Sequence, residues 1–193
     1  MSETRLNLVI VIGSIRKGRT GDTVASWMKE AAAKHDQFDI EIVDMAENPP
    51  PLILTDDAPP ELAGTTSKLA AADAFIIVTP EYNHSFPASI KSLIDWHYTE
   101  WRAKPVGFVS YGGHACGLRA VEALRLVLAE MHAVTIRDCV SFGIYSGNGF
   151  DDEGRPADAE GAETAAKVML DQLGWWAAAL SEARSKTPYE VQF

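Results

Sequence analysis

An α/β doubly wound sheet is the fold class that the order of apolar segments predicts. Four short apolar runs, Leu6–Ile12, Ala74–Thr79, Val106–Ser110 and Val134–Val140, are long enough for strands and too short for helices. A fifth segment, Phe38–Val43, alternates Phe38, Ile40 and Ile42 with Asp39 and Glu41, the pattern of a half-exposed edge strand. Helical periodicity fills the gaps between them, and continuous apolar runs separated by helices are the mark of parallel strands buried on both faces.

The elements follow in order. After the first run, Val24, Trp27, Met28, Ala31 and Ala32 fall on one face of a helix. After the alternating strand, Asn48–Pro60 holds five prolines and is expected to be irregular. Beyond the third strand, Pro87 suits a first helical turn, with Ser85 as a cap and Ile90, Leu93, Ile94 and His97 at helical spacing. Leu118, Val121, Leu124, Leu128 and Met131 form the next stripe. Gly143–Asp158 is a polar loop, and Ala165–Ala183 reads as a terminal helix interrupted by Gly174. With no internal repeat and no shift of composition, residues 1–193 are expected to form one domain.

The chain carries 17 basic and 27 acidic side chains, a formal charge of −10. That balance argues against non-specific binding to nucleic acid or to an anionic membrane surface, since both need a basic footprint. No apolar run approaches the roughly 20 residues of a membrane span. The short run after Arg5 is too brief for a signal peptide, and Cys116 and Cys139 make no disulfide framework. A cytoplasmic location is the expectation.

Ligands of such sheets bind beyond the carboxyl ends of the strands, where the winding reverses. The loop after the first strand, Gly13 to Thr23, has three glycines, the hydroxyls of Ser14, Thr20 and Thr23, and two arginines, Arg16 and Arg19, entering a helix start. Free N–H groups and the positive dipole end of that helix suit a phosphate, and guanidinium forks add charge-assisted bonds. The alternative is a solvated turn capped by Asp22 or Thr23. Arg19 stands where a triphosphate loop needs lysine, and Ile15 where a dinucleotide fingerprint needs glycine. The third strand runs into Thr79-Pro80-Glu81-Tyr82-Asn83-His84-Ser85-Phe86-Pro87, with no aspartate placed for magnesium. A stiff loop of prolines, aromatics and an amide fits a flat heteroaromatic ring. The third loop, Ser110 to Gly117, offers glycines over which a ring can lie close to the backbone.

Together, Gly13-Ser14-Ile15-Arg16-Lys17-Gly18-Arg19 and Pro80-Glu81-Tyr82-Asn83-His84-Ser85-x-Pro87-Ala88-x-Ile90-Lys91-x-Leu93-Ile94-Asp95-Trp96 resemble the NADPH-dependent FMN reductases of the flavodoxin-like fold. The resemblance implies five parallel strands in the order 2-1-3-4-5 with helices on both faces. It implies FMN as cofactor and NADPH or NADH as hydride donor, with a quinone, free flavin, azo compound or metal oxyanion as the small-molecule electron acceptor. The phosphate would be held by Ser14, Arg16 and Arg19 with the Thr20, Gly21, Asp22 and Thr23 stretch. Pro80, Glu81, Tyr82 and Asn83 would border the isoalloxazine, with Ser110, Tyr111, Gly112 and Gly113 on its other side. Many relatives carry Ser-x-Asn where this chain has Arg19-Thr20-Gly21, so the amide's role passes to another group. A homodimer or homotetramer is expected on the same likeness.

The chemistry belongs to the flavin, so no catalytic side chain is demanded. The five histidines are scattered without metal-ligand spacing, and Cys116 reads as a small buried side chain before a reactive thiol. Trp96, Tyr98 and Trp101 serve core packing, a subunit interface or a lid over the flavin. Two other function classes stay open: an electron carrier without NAD(P)H turnover, and a nucleotide kinase or phosphatase.

Overall fold

A computed structural model describes residues 5–145, 147 and 149–190. Five parallel strands stand in the order β2-β1-β3-β4-β5: β1 Leu6–Ile12, β2 Phe38–Asp44, β3 Ala74–Pro80, β4 Pro105–Gly112 and β5 Val134–Gly143. The helices are α1 Gly21–Ala33, α2 Ala63–Ala71, α3 Ala88–Trp96, α4 Leu118–Glu130 and α5 Ala159–Lys186. Successive strand side chains point to opposite faces, and that alternation divides the core. Leu8, Ile10 and Ile12 pack with α1 and α5, while Val9 and Val11 pack with α2, α3 and α4. β3 and β4 are buried along their whole length, which is why they read as unbroken apolar runs. β2 is an edge strand with alternating exposure, as its acidic alternation implies.

The differences from the sequence reading have local causes. Helix α2 is invisible in the periodicity because Leu69 is its one buried residue among small and polar neighbours. Helix α5 starts six residues before Ala165, where Asp158 Oδ1 accepts the Gly161 N–H at 2.9 Å as a side-chain cap. It runs unbroken through Gly174, where a Cβ would meet the Gln37 amide oxygen. Ser85 caps nothing: Pro87 stands at the N-cap of α3 without a side-chain bond. Trp101 is core, fully buried with its ring 4.7 Å from Phe75. Trp96 instead donates to the Pro51 carbonyl at 2.8 Å and pins the proline-rich loop. Tyr98 lies exposed beneath the Arg102 guanidinium.

Since β1 lies between β2 and β3, the winding reverses beside it, and the loops after β1 and β3 part to leave a crevice.

Candidate functional site

The crevice is a cleft of about 260 Å³ lined by Ser14, Arg16, Gly18, Arg19 and Thr20 on one side, and by Pro80–Tyr82, Tyr111–Gly113, Ile144 and Tyr145 on the other. Larger recesses exist, among them one of about 440 Å³ between α1 and α5. That one lies along the helical flank. Another, at the first turn of α1 and residues 151–156, adjoins the cleft without reaching the loops after β3 and β4. Size alone does not outrank position at the winding reversal.

Each wall is tied to its strand by backbone bonds. Gly13 donates to Val78 O at 2.9 Å, Glu81 to Tyr111 O at 3.0 Å and Ile144 to Gly112 O at 2.9 Å. Ser89 Oγ, from α3, donates to Gly13 O at 2.6 Å. Ser14 and Tyr82 join the two sides, their hydroxyl oxygens 2.9 Å apart.

At the β1 end, α1 opens at Gly21 with Thr20 as N-cap and no side-chain cap bond. Neither Asp22 nor Thr23 caps it, so its first N–H groups are left to other partners. Arg16 is exposed and, among the described residues, pairs with no carboxylate. Arg19 is placed differently: its guanidinium is turned onto Asp44 and Asp22. Asp22 and Thr23 face a neighbouring recess rather than the cleft.

Tyr111 forms the floor. It is 4% exposed, and its hydroxyl is buried without a hydrogen bond among the described residues. Burial pushes its phenol well above the ordinary value, Ser14 nearby drawing it back in part; the ring stays neutral at any physiological pH. A Cβ at Gly21 would lie 2.8 Å from that hydroxyl oxygen, so only glycine fits above Tyr111. The buried hydroxyl fills the space that a side chain at position 21 would occupy.

At the β3 end, Tyr82 and Ser85 exchange backbone bonds of 2.9 and 3.1 Å around Asn83 and His84, whose φ angles are 50° and 75°. Two successive positive-φ residues make a type I′ turn, a conformation asparagine tolerates better than most residues. Asn83 is exposed on that turn and does not line the cleft. Its residue type is thus accounted for by backbone geometry. The Glu81 carboxylate accepts the Arg119 backbone N–H at 3.3 Å and its guanidinium at 3.0 Å, capping α4 where its own N-cap, Gly117, has no side chain. Ser110 is fully buried and donates to Cys116 O at 2.9 Å, holding the glycine loop from below. Ile144 and Tyr145 on the far rim were not legible in the sequence; Tyr145 is 81% exposed at the cleft edge.

These groups fit FMN: hydroxyls, an unpaired guanidinium and an uncapped helix start at one end, a proline, aromatics and bare backbone at the other. The buried Tyr111 hydroxyl without a partner makes the floor polar where the phosphate end of such a ligand would lie.

The comparisons agree with that reading. The model of the NADPH-dependent FMN reductase family matches residues 6–147, and the chain belongs to that family, which works with FMN and NAD(P)H. An NAD(P)H-dependent FMN reductase of Schizosaccharomyces pombe is 36% identical over 121 residues, spanning 57% of this chain and 60% of that relative's length. An NADPH:quinone oxidoreductase of Arabidopsis thaliana is 30% identical over 141 residues, 68% of this chain and 71% of the relative. Among solved structures, FerB, a flavoenzyme NAD(P)H:(acceptor) oxidoreductase from Paracoccus denitrificans, superposes with a TM-score of 0.72 over 90% of this chain and 98% of its own. At 22% identity that likeness bears on the flavodoxin-like fold alone.

Proposed function

We propose that this chain binds FMN in the cleft and passes electrons from NAD(P)H to a small acceptor of the quinone class. The observation that carries the reading is the pairing, at the winding reversal, of an uncapped α1 start beside the unpaired Arg16 with a stiff wall at Pro80–Tyr82. Bound FMN supplies the hydride and electron chemistry. The protein's own part is placement. Ser14, Arg16, Gly18 and Thr20 would receive the phosphate, and Pro80, Glu81 and Tyr82 would face the ring across from Tyr111, Gly112 and Gly113. The quinone preference is supported by the Arabidopsis relative's own activity and by a rim that offers the exposed Tyr145 as a stacking surface.

The test is direct. The purified protein should be yellow, release FMN on denaturation, and oxidise NADPH or NADH in a quinone-dependent manner. Arg16→Ala should weaken FMN by about tenfold or more, one charge-assisted bond's worth, with riboflavin binding unchanged. Bound FMN without steady-state NAD(P)H oxidation would make the chain an electron carrier instead.

A further inference from the structure

We propose that Asp44, the last residue of β2, is the positioning residue of the phosphate loop, and that it holds Arg19 as a crosslink rather than leaving it free as a phosphate ligand. The inference rests on the FMN reading above and assigns a role to a residue outside both loop motifs.

Arg19 is committed on every side that the loop offers. One terminal nitrogen donates to Asp44 Oδ1 at 2.7 Å and to the Ser14 carbonyl at 2.5 Å. The other reaches Asp44 Oδ2 at 2.5 Å and Asp22 Oδ1 at 2.6 Å. The Arg19–Asp44 contact is bidentate, the strongest arrangement open to this pair, and both side chains are mostly buried, at 11% and 15% exposure. Asp44 is itself fixed: Oδ1 accepts the Ala46 N–H at 2.9 Å. Its Cα stands in register with Ile12, the residue that ends β1, and Met45 donates to Ile12 O at 3.2 Å. The crosslink therefore runs from the sheet, through one guanidinium, to the backbone of the loop and the first turn of α1.

Charge decides against Arg19 leaving. One cation already faces two carboxylates, Asp44 and Asp22. Moving it to a phosphate of nearly two negative charges would strand the desolvated Asp44 carboxylate without its partner, a costly result for a group withdrawn from water. Kept in place, Arg19 pins the Ser14 carbonyl, and the planar trans peptide then turns the Ile15 N–H the opposite way. The phosphate would be received by oriented backbone amides, the α1 start and Arg16.

The two roles for Arg19 predict opposite results for Asp44. The experiment titrates apoprotein with FMN and with riboflavin for wild type, Asp44→Ala, Asp44→Asn, Arg19→Ala and the Asp44→Asn/Arg19→Ala double variant. It also follows tryptic cleavage after Arg16 and Lys17, both exposed. For a crosslink, Asp44→Asn weakens FMN by about tenfold or more and leaves riboflavin within about twofold. Arg19→Ala then adds little on top, because both variants break one unit, and tryptic cleavage of the apoprotein quickens in each. If Asp44→Ala does not fold, the isosteric Asp44→Asn carries the same comparison. Unchanged or tighter FMN binding in Asp44→Asn, with a further full loss on adding Arg19→Ala, overturns the proposal and returns Arg19 to the phosphate. Wild-type protein that binds riboflavin as tightly as FMN overturns the phosphate reading itself, and the proposal with it.

Discussion

The loop after β1 and the loop after β3 face each other across one cleft but are held by different physics. The first is fixed by charge, with Arg19 spanning Asp44, Asp22 and the Ser14 carbonyl. The second is fixed by backbone shape, through the tight Asn83-His84 turn. Its charged contact, Glu81 to Arg119, serves as a cap for α4. The residue types that look most chemical, an arginine beside a glycine and an asparagine beside a tyrosine, do structural work in both loops. The atoms left over for a ligand are less conspicuous: Arg16, two hydroxyls, helix-start amides and bare glycine backbone.

The largest expected effect lies where the two walls meet. Gly21→Ala should place a Cβ against the Tyr111 hydroxyl and destabilise by about 1–3 kcal/mol as overpacking does, seen as a lower melting temperature and weaker FMN binding. Tyr111→Phe alone should not lower the melting temperature, since its hydroxyl has no hydrogen bond among the described residues. Combined with Gly21→Ala it should restore the melting temperature, and failure of that rescue would break the contact argument.

Next comes Glu81→Ala, which removes the α4 cap and should cost about 1 kcal/mol, lowering turnover more than FMN affinity. Glu81→Gln, which can still accept the Arg119 N–H, should retain most of the stability in chemical denaturation. A comparable effect is expected at the turn. Asn83→Ala should cost up to about 1–2 kcal/mol through its positive φ, whereas Asn83→Gly should keep both stability and quinone turnover. A glycine variant that folds normally but loses turnover would give the amide a chemical role after all.

The smallest effect concerns pH. Burial tends to raise the Asp44 carboxyl, but the Arg19 fork, the Ala46 N–H and the Arg19 charge outweigh it and hold it below the usual range. A carboxyl lowered on folding adds stability that is complete above its unfolded pKa of about 3.9 and is lost as pH falls through the folded value. Asp44→Asn should therefore flatten the acid limb of the stability curve below about pH 4. Melting curves of wild type and Asp44→Asn across acid pH test the charged loop.

The sequence by itself determined the sheet and the location of the cleft. Buried strands must be apolar throughout, so β1 and β3 announce themselves, and the alternation of Phe38–Val43 marks β2 as an edge. It also marked the loops that line the cleft, because glycines, prolines and arginines gather where strands end. Helix α2 escaped, since a helix with one buried residue has no periodic stripe to read. What only the tertiary structure decided is the assignment of partners. Asp44 is 25 residues from Arg19 along the chain, Glu81 is 38 from Arg119, and the Tyr111 hydroxyl fills the space above which only a glycine fits at position 21. Such pairings depend on strand order and register, which bring chain-distant atoms within a few ångströms. A residue's type states which bonds it can make, but only its neighbours in space decide which it makes.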